Sequence, residues 1–429
     1  MELYGNGRVV LLDDPRTAGR LGWGARKRSA PEPEIRLAPV AGDPALEAWI
    51  CQGRPAPGRG PRVLWEGGDA AWTYLADAPG LDRYLRAMAE PRPQRDAVVG
   101  ISGLGRVGGL AASALAVMDR GRSRIGTLLL HDCDRANLER MRQELATVAS
   151  WRGAASLPGI EAVDLPEMLR RCDAFLFAAA CAVPPLGALG DVRLPQFSPN
   201  RAALREALDA ALAADYTGMF LVISDPVELL AQAGFHDSNA PGGRFLGLGL
   251  APERVAGLAL GIMWGRALAR AQELGAGERV ALRGVPYGPH STDVLVFDDP
   301  ADPDPDLCAA MNQAARNGNY RVRELGFIPH IGPALSSIVL TLPELLAGRE
   351  VLASSFVDGI YFGAPCRLRW GLAPTRRQMA PQVQAQVLAL HTLVRERMAQ
   401  YGLAFAGDAP AEGPRANAVR TPSHHAPMP

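Results

Sequence analysis

The sequence predicts an α/β protein: a Rossmann-type doubly wound parallel sheet, an α+β region after it and an extra N-terminal region before it. Two observations support this prediction. Apolar strand patterns alternate with helical patterns from Ala97 onwards, and the first of these strands runs directly into a glycine-rich turn. Strands that alternate with helices pair in parallel, because each helix carries the chain back to the same end of the sheet.

The first strand, Ala97–Ser102, is a short apolar run of the kind that is buried on both faces of a sheet. The segments up to residue 224 then alternate between helix and strand. They are Val107–Asp119 (helix), Thr127–Leu130 (strand), Arg135–Ala149 (helix), Asp173–Ala180 (strand), Pro199–Ala214 (helix) and Met219–Ser224 (strand). Beyond them a long helix is expected over Val255–Leu274.

The turn after the first strand has the pattern Gly103-Leu-Gly105-Arg-Val-Gly108. In a strand–turn–helix unit the first glycine permits a tight turn, the second lets a pyrophosphate approach the backbone, and the third lets the helix pack closely. Arg106 and Val107 open the helix, whose free N–H groups attract phosphate. Asp132 ends the next strand. A carboxylate there accepts hydrogen bonds from the ribose hydroxyl groups and repels a 2′-phosphate. These features predict an NAD site, with Asp134 as the alternative acid.

Composition excludes several classes of partner. The 429 residues carry 45 basic and 45 acidic side chains, so no net charge draws the chain to nucleic acid or to an acidic membrane. No signal peptide is evident, and the longest apolar stretch, Phe175–Leu189, is too short to span a bilayer. Six scattered cysteines are expected to be reduced, buried thiols. We therefore expect a cytoplasmic protein without a metal site, since no HExxH, Cys/His cluster or P-loop is present.

The chain divides into four predicted parts. Residues 1–95 are an extra region of unknown role with β-like runs at Arg8–Leu12 and Pro61–Trp65 and a helix near Leu81–Glu90. Residues 96–232 form the NAD-binding Rossmann domain, and residues 233–405 form an α+β domain. Residues 406–429 are rich in Pro, Ala and Arg, and we expect a disordered tail there.

From Ala97 to about Gly402 the order of motifs resembles the lactate/malate dehydrogenase superfamily. The glycine turn is the first of four matching stretches. Cys172–Gly187 resembles the strand that enters the family's mobile substrate loop, and Ile223-Ser-Asp-Pro-Val-Glu-Leu-Leu230 is similar to the family's TNPVDIL. The segment from Glu253 to Asp293 aligns without a gap to ERVIGLG…LDSAR…GEHGDS.

The resemblance implies roles for four residues. His290 falls on the family's general acid/base, a role that suits histidine because its pKa lies near neutrality. Arg266 falls on the arginine that grips the substrate carboxylate with its guanidinium fork. Arg193 resembles the loop arginine that polarises the carbonyl, and Asn200, seven residues further on, is a weaker substrate-binding candidate.

Three positions depart from the family. Met263 stands where the family pairs its histidine with a buried aspartate, and Asp225 stands where the family has asparagine. We hypothesise that Asp225 supplies the missing charge from another direction. The loop reads Val183-Pro184-Pro185, with no charge where malate dehydrogenases keep an arginine, so malate or oxaloacetate is not expected as the substrate.

The sequence thus predicts an NAD-dependent oxidoreductase that acts on a 2-hydroxy or 2-oxo carboxylic acid other than malate. The alternative is a catalytically degenerate NAD-binding sensor or structural protein, which the loss of the aspartate at Met263 favours. The related glycosidases that use NAD transiently need a metal, and no ligand set for one is found. The resemblance also implies a homo-oligomer.

Overall fold

A computed structural model describes residues 96–149, 156–188, 191–239, 249–368, 371–375 and 377–404, and the backbone of four earlier strands. These four strands form an antiparallel sheet in the order β3-β1-β2-β4: β1 (Leu3–Gly5), β2 (Val9–Leu12), β3 (Ala25–Arg26) and β4 (Arg62–Trp65). Two of them confirm the β-like runs expected in the N-terminal region. The expected helix near Leu81–Glu90 and the tail lie outside the described residues.

The main sheet has nine strands. In chain order they are β5 (Ala97–Ser102), β6 (Ile125–His131), β7 (Gly159–Ala162), β8 (Ala174–Phe177), β9 (Met219–Val222), β10 (Val255–Gly257), β13 (Glu350–Val357), β14 (Ile360–Leu368) and β15 (Leu372–Pro374). A separate hairpin is formed by β11 (Val285–Tyr287) and β12 (Leu295–Phe297). The order across the main sheet is β15-β14-β13-β10-β9-β8-β5-β6-β7. Strands β5 to β10 pair in parallel, and β13 to β15 add an antiparallel edge.

The direction of strand addition reverses beside β5. From β5 the chain moves outward to β6 and β7, then returns to place β8 on the other side of β5. At such a switch point the loops after neighbouring strands part, and a crevice opens at the carboxyl ends of the strands. The glycine turn follows β5 and the Cys172–Gly187 stretch contains β8, so both meet at this crevice.

Twelve α-helices are described. They are α1 (Arg106–Ala116), α2 (Arg120–Ser123), α3 (Arg135–Ala146), α4 (Leu165–Arg171), α5 (Phe197–Ala213), α6 (Val227–Ser238), α7 (Leu260–Glu273), α8 (Gly277–Arg283), α9 (Pro305–Glu324), α10 (Ile331–Ala334), α11 (Leu342–Leu346) and α12 (Pro381–Gln400). Aspartates cap three of them: the Asp134, Asp164 and Asp304 carboxylates accept backbone N–H groups in the first turns of α3, α4 and α9. A π-helical turn, Leu335–Val339, follows α10.

The core lies on both faces of the parallel strands. Every residue of β8 and β9 is buried, as expected for central strands with helices on either side. Phe175 and Phe220 pack against each other across these two strands, with ring centroids 4.8 Å apart and ring planes tilted by 48°. Burial of the strands fixes the loops at their carboxyl ends, where the candidate site lies.

The predicted α/β class is confirmed, with one element wrong. A helix was expected from Val255, but Val255–Gly257 is strand β10, and α7 begins only at Leu260. All three β10 residues are buried and pair in parallel with Phe220–Val222, so pairing with the sheet overrides the helical pattern. The sheet also continues across the predicted boundary between residues 232 and 233, and the division into two domains stays a prediction.

Candidate active site

The glycine turn closes tightly against the loop after β8. Gly103 has φ +96°, and a Cβ there would lie 2.5 Å from the backbone nitrogen of Ala179, so this position needs glycine. A Cβ on Gly108 would meet the Gly103 carbonyl oxygen at 1.9 Å, because α1 packs directly on the turn. At Gly105, by contrast, a Cβ would meet nothing within 4 Å. The backbone between the other two glycines therefore faces open space.

That space is a cavity of about 620 Å³. At one end it is lined by Gly105, Arg106 and Val107, which begin α1, and by Asp132 after β6. At the other end it reaches Asp225 and His290. The cavity therefore connects the predicted NAD-binding turn with the predicted catalytic residues. A length of open backbone at a helix N-terminus fits the pyrophosphate of a dinucleotide.

Asp132 also holds the turn together. Its Oδ2 accepts hydrogen bonds from the Leu104 backbone (2.7 Å) and the Asn137 amide (3.2 Å), and its Oδ1 accepts the Asp134 backbone N–H (2.9 Å). A carboxylate offers about four acceptor sites, so about one remains for a ribose hydroxyl. Asp134 caps α3 instead, with its Oδ1 accepting two backbone N–H groups.

Asp225 and His290 line the other end of the cavity and belong to a buried group of charged side chains that also includes Arg193 and Arg266. His290 Nδ1 lies 3.2 Å from Asp225 Oδ1, and Arg193 Nε lies 3.9 Å from the same oxygen. Arg266 extends from α7, and its Nη1 donates to the Ala315 carbonyl at 3.3 Å. The Asp225 side chain remains 28% exposed towards the cavity, whereas His290 is 9% and Arg193 3% exposed. The structure thus brings together four residues that are far apart in the sequence.

Local structure positions each of these side chains. Asp225 lies three residues after the end of β9, and Arg193 precedes the short 3₁₀ turn Leu194–Gln196 that leads into α5. His290 follows the tight turn at Gly288, which has φ +98° and donates its N–H to the Gly363 carbonyl in β14 at 2.8 Å. The positive φ at Gly288 favours glycine, and a Cβ there would also displace the end of the Leu390 side chain, which lies at 2.5 Å.

Several polar atoms of this group are buried without a hydrogen bond within the described part of the chain. They are Nε and Nη1 of Arg193, Oδ1 of Asp225 and both ring nitrogens of His290. A buried guanidinium without acceptors is costly, so its N–H groups favour an anion that enters the site. A carboxylate offers the planar acceptor pair that suits such a group.

The charges also shift one another's pKa values. Burial would raise the pKa of the Asp225 carboxyl, but His290 and Arg193 overcome this and hold the pKa below its ordinary value. Burial and the neighbouring Arg193 lower the pKa of His290, although Asp225 acts in the opposite direction. Burial and Arg193 lower the pKa of Arg266 to about 10, so Arg266 still carries its charge at neutral pH.

Met263 supplies no charge beside His290, and Asp225 brings a carboxylate to that ring from another element. Met263 is fully buried on α7, and its sulfur lies 3.7 Å from Nη1 of Arg266. No carboxylate stands at this position, yet Asp225 approaches His290 from the end of β9. Compared with the family pattern, one acidic residue has moved and one neutral residue has taken its place. The formal charge of the group is therefore unchanged, and this agrees with the hypothesis that Asp225 replaces the missing aspartate.

Asn200 is fully buried and engaged with the backbone. Its Oδ1 accepts the Cys181 N–H at 2.8 Å, and its Nδ2 donates to the Asp225 carbonyl at 2.7 Å. This bridge ties the loop after β8 to the loop after β9. The structure therefore places Asn200 behind Asp225, and its predicted contact with substrate stays a prediction.

Three polar residues near the site were missed by the sequence reasoning. Glu228 is buried in α6 and accepts a hydrogen bond from the Ser354 hydroxyl at 2.8 Å; its place within the Asp-Pro-Val-Glu motif was an available signal. Asn319 and Arg323 line the cavity from α9. No motif marks them, because α9 lies over a hundred residues from the loop that it faces.

The cysteines differ from expectation. Cys172, Cys308 and Cys366 are buried, and in each case burial is the main cause that raises the thiol pKa to about 12. Cys133 and Cys181 are exposed and line the cavity, so the expectation of buried thiols was wrong for these two. Loops at the carboxyl ends of strands carry them out of the core.

Within the described ranges, no group of three His, Cys, Asp or Glu side chains is arranged to hold a metal ion. A search of the same residues also finds no helix with the length and apolar character needed to cross a membrane.

Comparison with known proteins shows the class of the fold. A lactate dehydrogenase from a Medee basin deep-sea metagenome library (16% identity, TM-score 0.57) covers 72% of this chain and is itself covered completely. The minor L-lactate dehydrogenase from Enterococcus mundtii is 18% identical with a TM-score of 0.56, and the match includes 71% of this chain and 98% of that protein. The malate dehydrogenase from Plasmodium falciparum is 14% identical with a TM-score of 0.59, and the match includes 72% of this chain and 99% of that protein. The chain has the Rossmann-type fold of these dehydrogenases.

Sequence comparison agrees with the fold. An L-lactate dehydrogenase from Shouchella clausii (strain KSM-K16) is 29% identical over 160 residues, which are 37% of this chain and 45% of that protein. The match thus spans less than half of the relative's length. No family model matches the chain. The resemblance predicted from the motifs is nevertheless confirmed: the chain is similar to an L-lactate dehydrogenase in sequence and to lactate and malate dehydrogenases in fold.

Proposed function

We propose that this protein is an NAD-dependent oxidoreductase that transfers hydride between NAD(H) and a 2-hydroxy or 2-oxo carboxylic acid other than malate. The observation that carries this proposal is the buried contact between His290 and Asp225, beside two arginines whose charges no other carboxylate balances in the described residues. The dehydrogenases with the same fold add support, because both kinds act on acids of this class as their names state.

The residues at the glycine turn fit the cofactor. Gly103, Gly105, Arg106, Val107 and Gly108 would hold the pyrophosphate, because the open backbone at Gly105 leaves room for it. The Asp132 carboxylate would accept a ribose hydroxyl and disfavour a 2′-phosphate, so NAD is preferred over NADP. When bound, NAD(H) supplies or accepts the hydride.

The two arginines would bind the carboxylate of the substrate. Arg193 and Arg266 contribute two positive charges and Asp225 one negative charge, so the group carries one excess positive charge when His290 is neutral. A monoanionic 2-oxo acid head balances this charge, and the unpaired N–H groups of Arg193 gain acceptors. Arg266 anchors the carboxylate, and Arg193 polarises the adjacent carbonyl.

His290 would move the proton. Asp225 faces Nδ1 of the ring, so Nε2 is left to donate a proton to the carbonyl oxygen or to accept it back from the hydroxyl. Before substrate binds, burial and Arg193 favour the neutral ring. The negative charge of a bound substrate offsets Arg193, so binding raises the pKa of His290 and helps it carry the proton that reduction needs.

The experiment follows absorbance near 340 nm while the purified protein is mixed with NADH and a panel of 2-oxo acids from small to bulky. We expect turnover on at least one acid and a loss of about 100-fold or more in His290→Gln and Arg266→Met, because each removes a hydrogen bond to a charged group. The matched control is Arg270→Met, which removes a surface ion pair one turn along α7 and is expected to leave turnover unchanged.

The second candidate is an NAD-binding protein without catalysis, which Met263 favours because the family's aspartate is absent there. It predicts that NADH binds while no 2-oxo acid is reduced at any pH. Equal activity in the wild type and in both site variants would also reject the proposed roles of His290 and Arg266.

A further inference from the structure

A stripe of three residues on α9 connects the predicted carboxylate anchor with the loop after β8. Ala315 accepts the hydrogen bond from Arg266, and a Cβ on Gly318 would touch the Arg266 side chain, so Arg266 lies against this part of α9. Asn319 and Arg323 follow Ala315 at intervals of four residues. Residues spaced in this way occupy one face of a helix, and the last two line the cavity.

The spacing of these three residues gives the distance between the Arg266 contact and the far end of the stripe. A helix rises 1.5 Å per residue, so Asn319 lies about 6 Å and Arg323 about 12 Å along the axis from the Arg266 contact. The wall beside the stripe includes Ile262 and Pro333, which are apolar. If the carboxylate of a ligand binds Arg266, the middle of the ligand would lie along this apolar wall. Its far end would then reach Asn319 and Arg323.

Both polar residues at that end have unused hydrogen-bonding capacity. The Asn319 side chain has no hydrogen bond within the described residues, although the residue is only 9% exposed. Arg323 donates through a single nitrogen, Nη2, to the carbonyl oxygens of Pro184 (2.9 Å) and Pro185 (2.5 Å). No carboxylate lies within ion-pair distance of Arg323 among the residues described, so its positive charge is unbalanced there.

We infer that Asn319 and Arg323 form a subsite for an acidic tail, and that the substrate is a 2-oxo or 2-hydroxy dicarboxylic acid longer than oxaloacetate. The inference rests on the proposed function, which places the first carboxylate at Arg266. Arg323 meets the second carboxylate with its free N–H groups while Nη2 holds the loop. Asn319 donates an amide N–H to the same tail.

The test is titration calorimetry on the full chain saturated with NADH. The ligands are 2-hydroxyadipate and 2-hydroxyhexanoate, which have equal chain length and differ in the tail carboxylate. Hydride transfer cannot occur because both partners are reduced, so binding is read apart from activity. We expect the diacid to bind about 10- to 100-fold more tightly, as for a hydrogen-bonded charge pair that is partly shielded from solvent.

The variant Arg323→Met keeps the length of the side chain and removes its charge. We expect it to lower diacid affinity to that of the monoacid and to leave the monoacid unchanged. Asn319→Leu should lower diacid affinity by a smaller factor. The control is Arg321→Met, which removes an exposed arginine on the same helix that does not line the cavity and should change neither ligand.

Equal binding of the two acids by the wild type would overturn the inference. So would an equal loss for both acids in Arg323→Met, because that result means that Arg323 only holds the loop. Diacid preference without reduction of any 2-oxo acid would reject the proposed oxidoreductase and retain the subsite. Reduction of monoacids without diacid preference would do the reverse, and failure of both acids to bind would reject the subsite.

Discussion

The charge at Asp225 is the feature of the site that can be tested most directly. The variant Asp225→Asn keeps the size of the side chain and removes the charge that faces His290 Nδ1 at 3.2 Å. When His290 is protonated, its Nδ1–H faces the Asp225 carboxylate, and a hydrogen bond to a charged group contributes about 1.5 to 3 kcal/mol. Because Asp225 raises the pKa of His290 against burial and Arg193, removal of this charge lowers that pKa further.

The direction of the effect on activity follows from the role of the proton. Reduction of a 2-oxo acid needs protonated His290, and Asp225 raises the pKa of His290 against the effects of burial and Arg193. In Asp225→Asn the basic limb of the reduction profile therefore moves to lower pH. At pH 7 the rate falls by about 10- to 100-fold. The measurement is NADH oxidation from pH 5 to pH 9 with the best acid of the panel.

A second variant separates charge from structure. In Asp225→Asn combined with Met263→Asp, the carboxylate returns to the position that the family uses, on α7 beside Arg266. We expect the double variant to recover at least 10-fold of the lost rate and to shift the pH profile back towards that of the wild type. An unchanged pH profile in Asp225→Asn would refute the reasoning, and a double variant no better than the single one would show that geometry matters more than charge.

Three further predictions concern other parts of the structure. Gly105→Val should fold normally and bind NADH at least 10-fold more weakly, because its side chain fills the open space beside the glycine turn. Gly108→Val should instead lower the melting temperature, because its Cβ would collide with the backbone of that turn. A thiol reagent followed by peptide mapping should label Cys133 and Cys181 quickly, and label the three buried cysteines only on unfolding. Although burial raises it, an arginine on α5 holds the pKa of Asp237 well below its ordinary value. The ionised Asp237 should therefore add about 2 kcal/mol to the free energy of unfolding above pH 4, and this contribution should be lost at lower pH. Unfolding curves of Asp237→Asn should not show that loss.

Local signals were sufficient for the parallel sheet and the glycine turn. Buried parallel strands are short apolar runs, and the helices between them carry caps and periodic apolar faces, so each segment is recognisable alone. Val255–Gly257 shows where this fails. Its three residues continue without a break into a helical pattern, and only the neighbouring strand Phe220–Val222 decides that they pair with the sheet. That neighbour lies more than thirty residues earlier in the chain.

The candidate site shows the same division between local and distant information. His290 and Arg266 were predictable because they occupy motif positions, and Asp225 was suspected because a motif position had changed. Arg323 was not predictable, since it meets the loop at Pro184 and Pro185 from a helix whose own sequence shows only two basic residues in its last turn. Such a residue normally indicates a favourable interaction with the helix dipole. Only the fold shows that its side chain reaches the cavity.

The absence of a charge in the Val183-Pro184-Pro185 loop therefore does not decide how acidic the substrate is. A binding site selects by the charges that line the cavity, whichever element supplies them, and α9 supplies one at this loop. The proposed exchange at Met263 and Asp225 follows the same logic, because the charge is kept while the element that carries it changes. In a divergent chain, the position of a charge in space is thus a better guide to chemistry than its position in a motif.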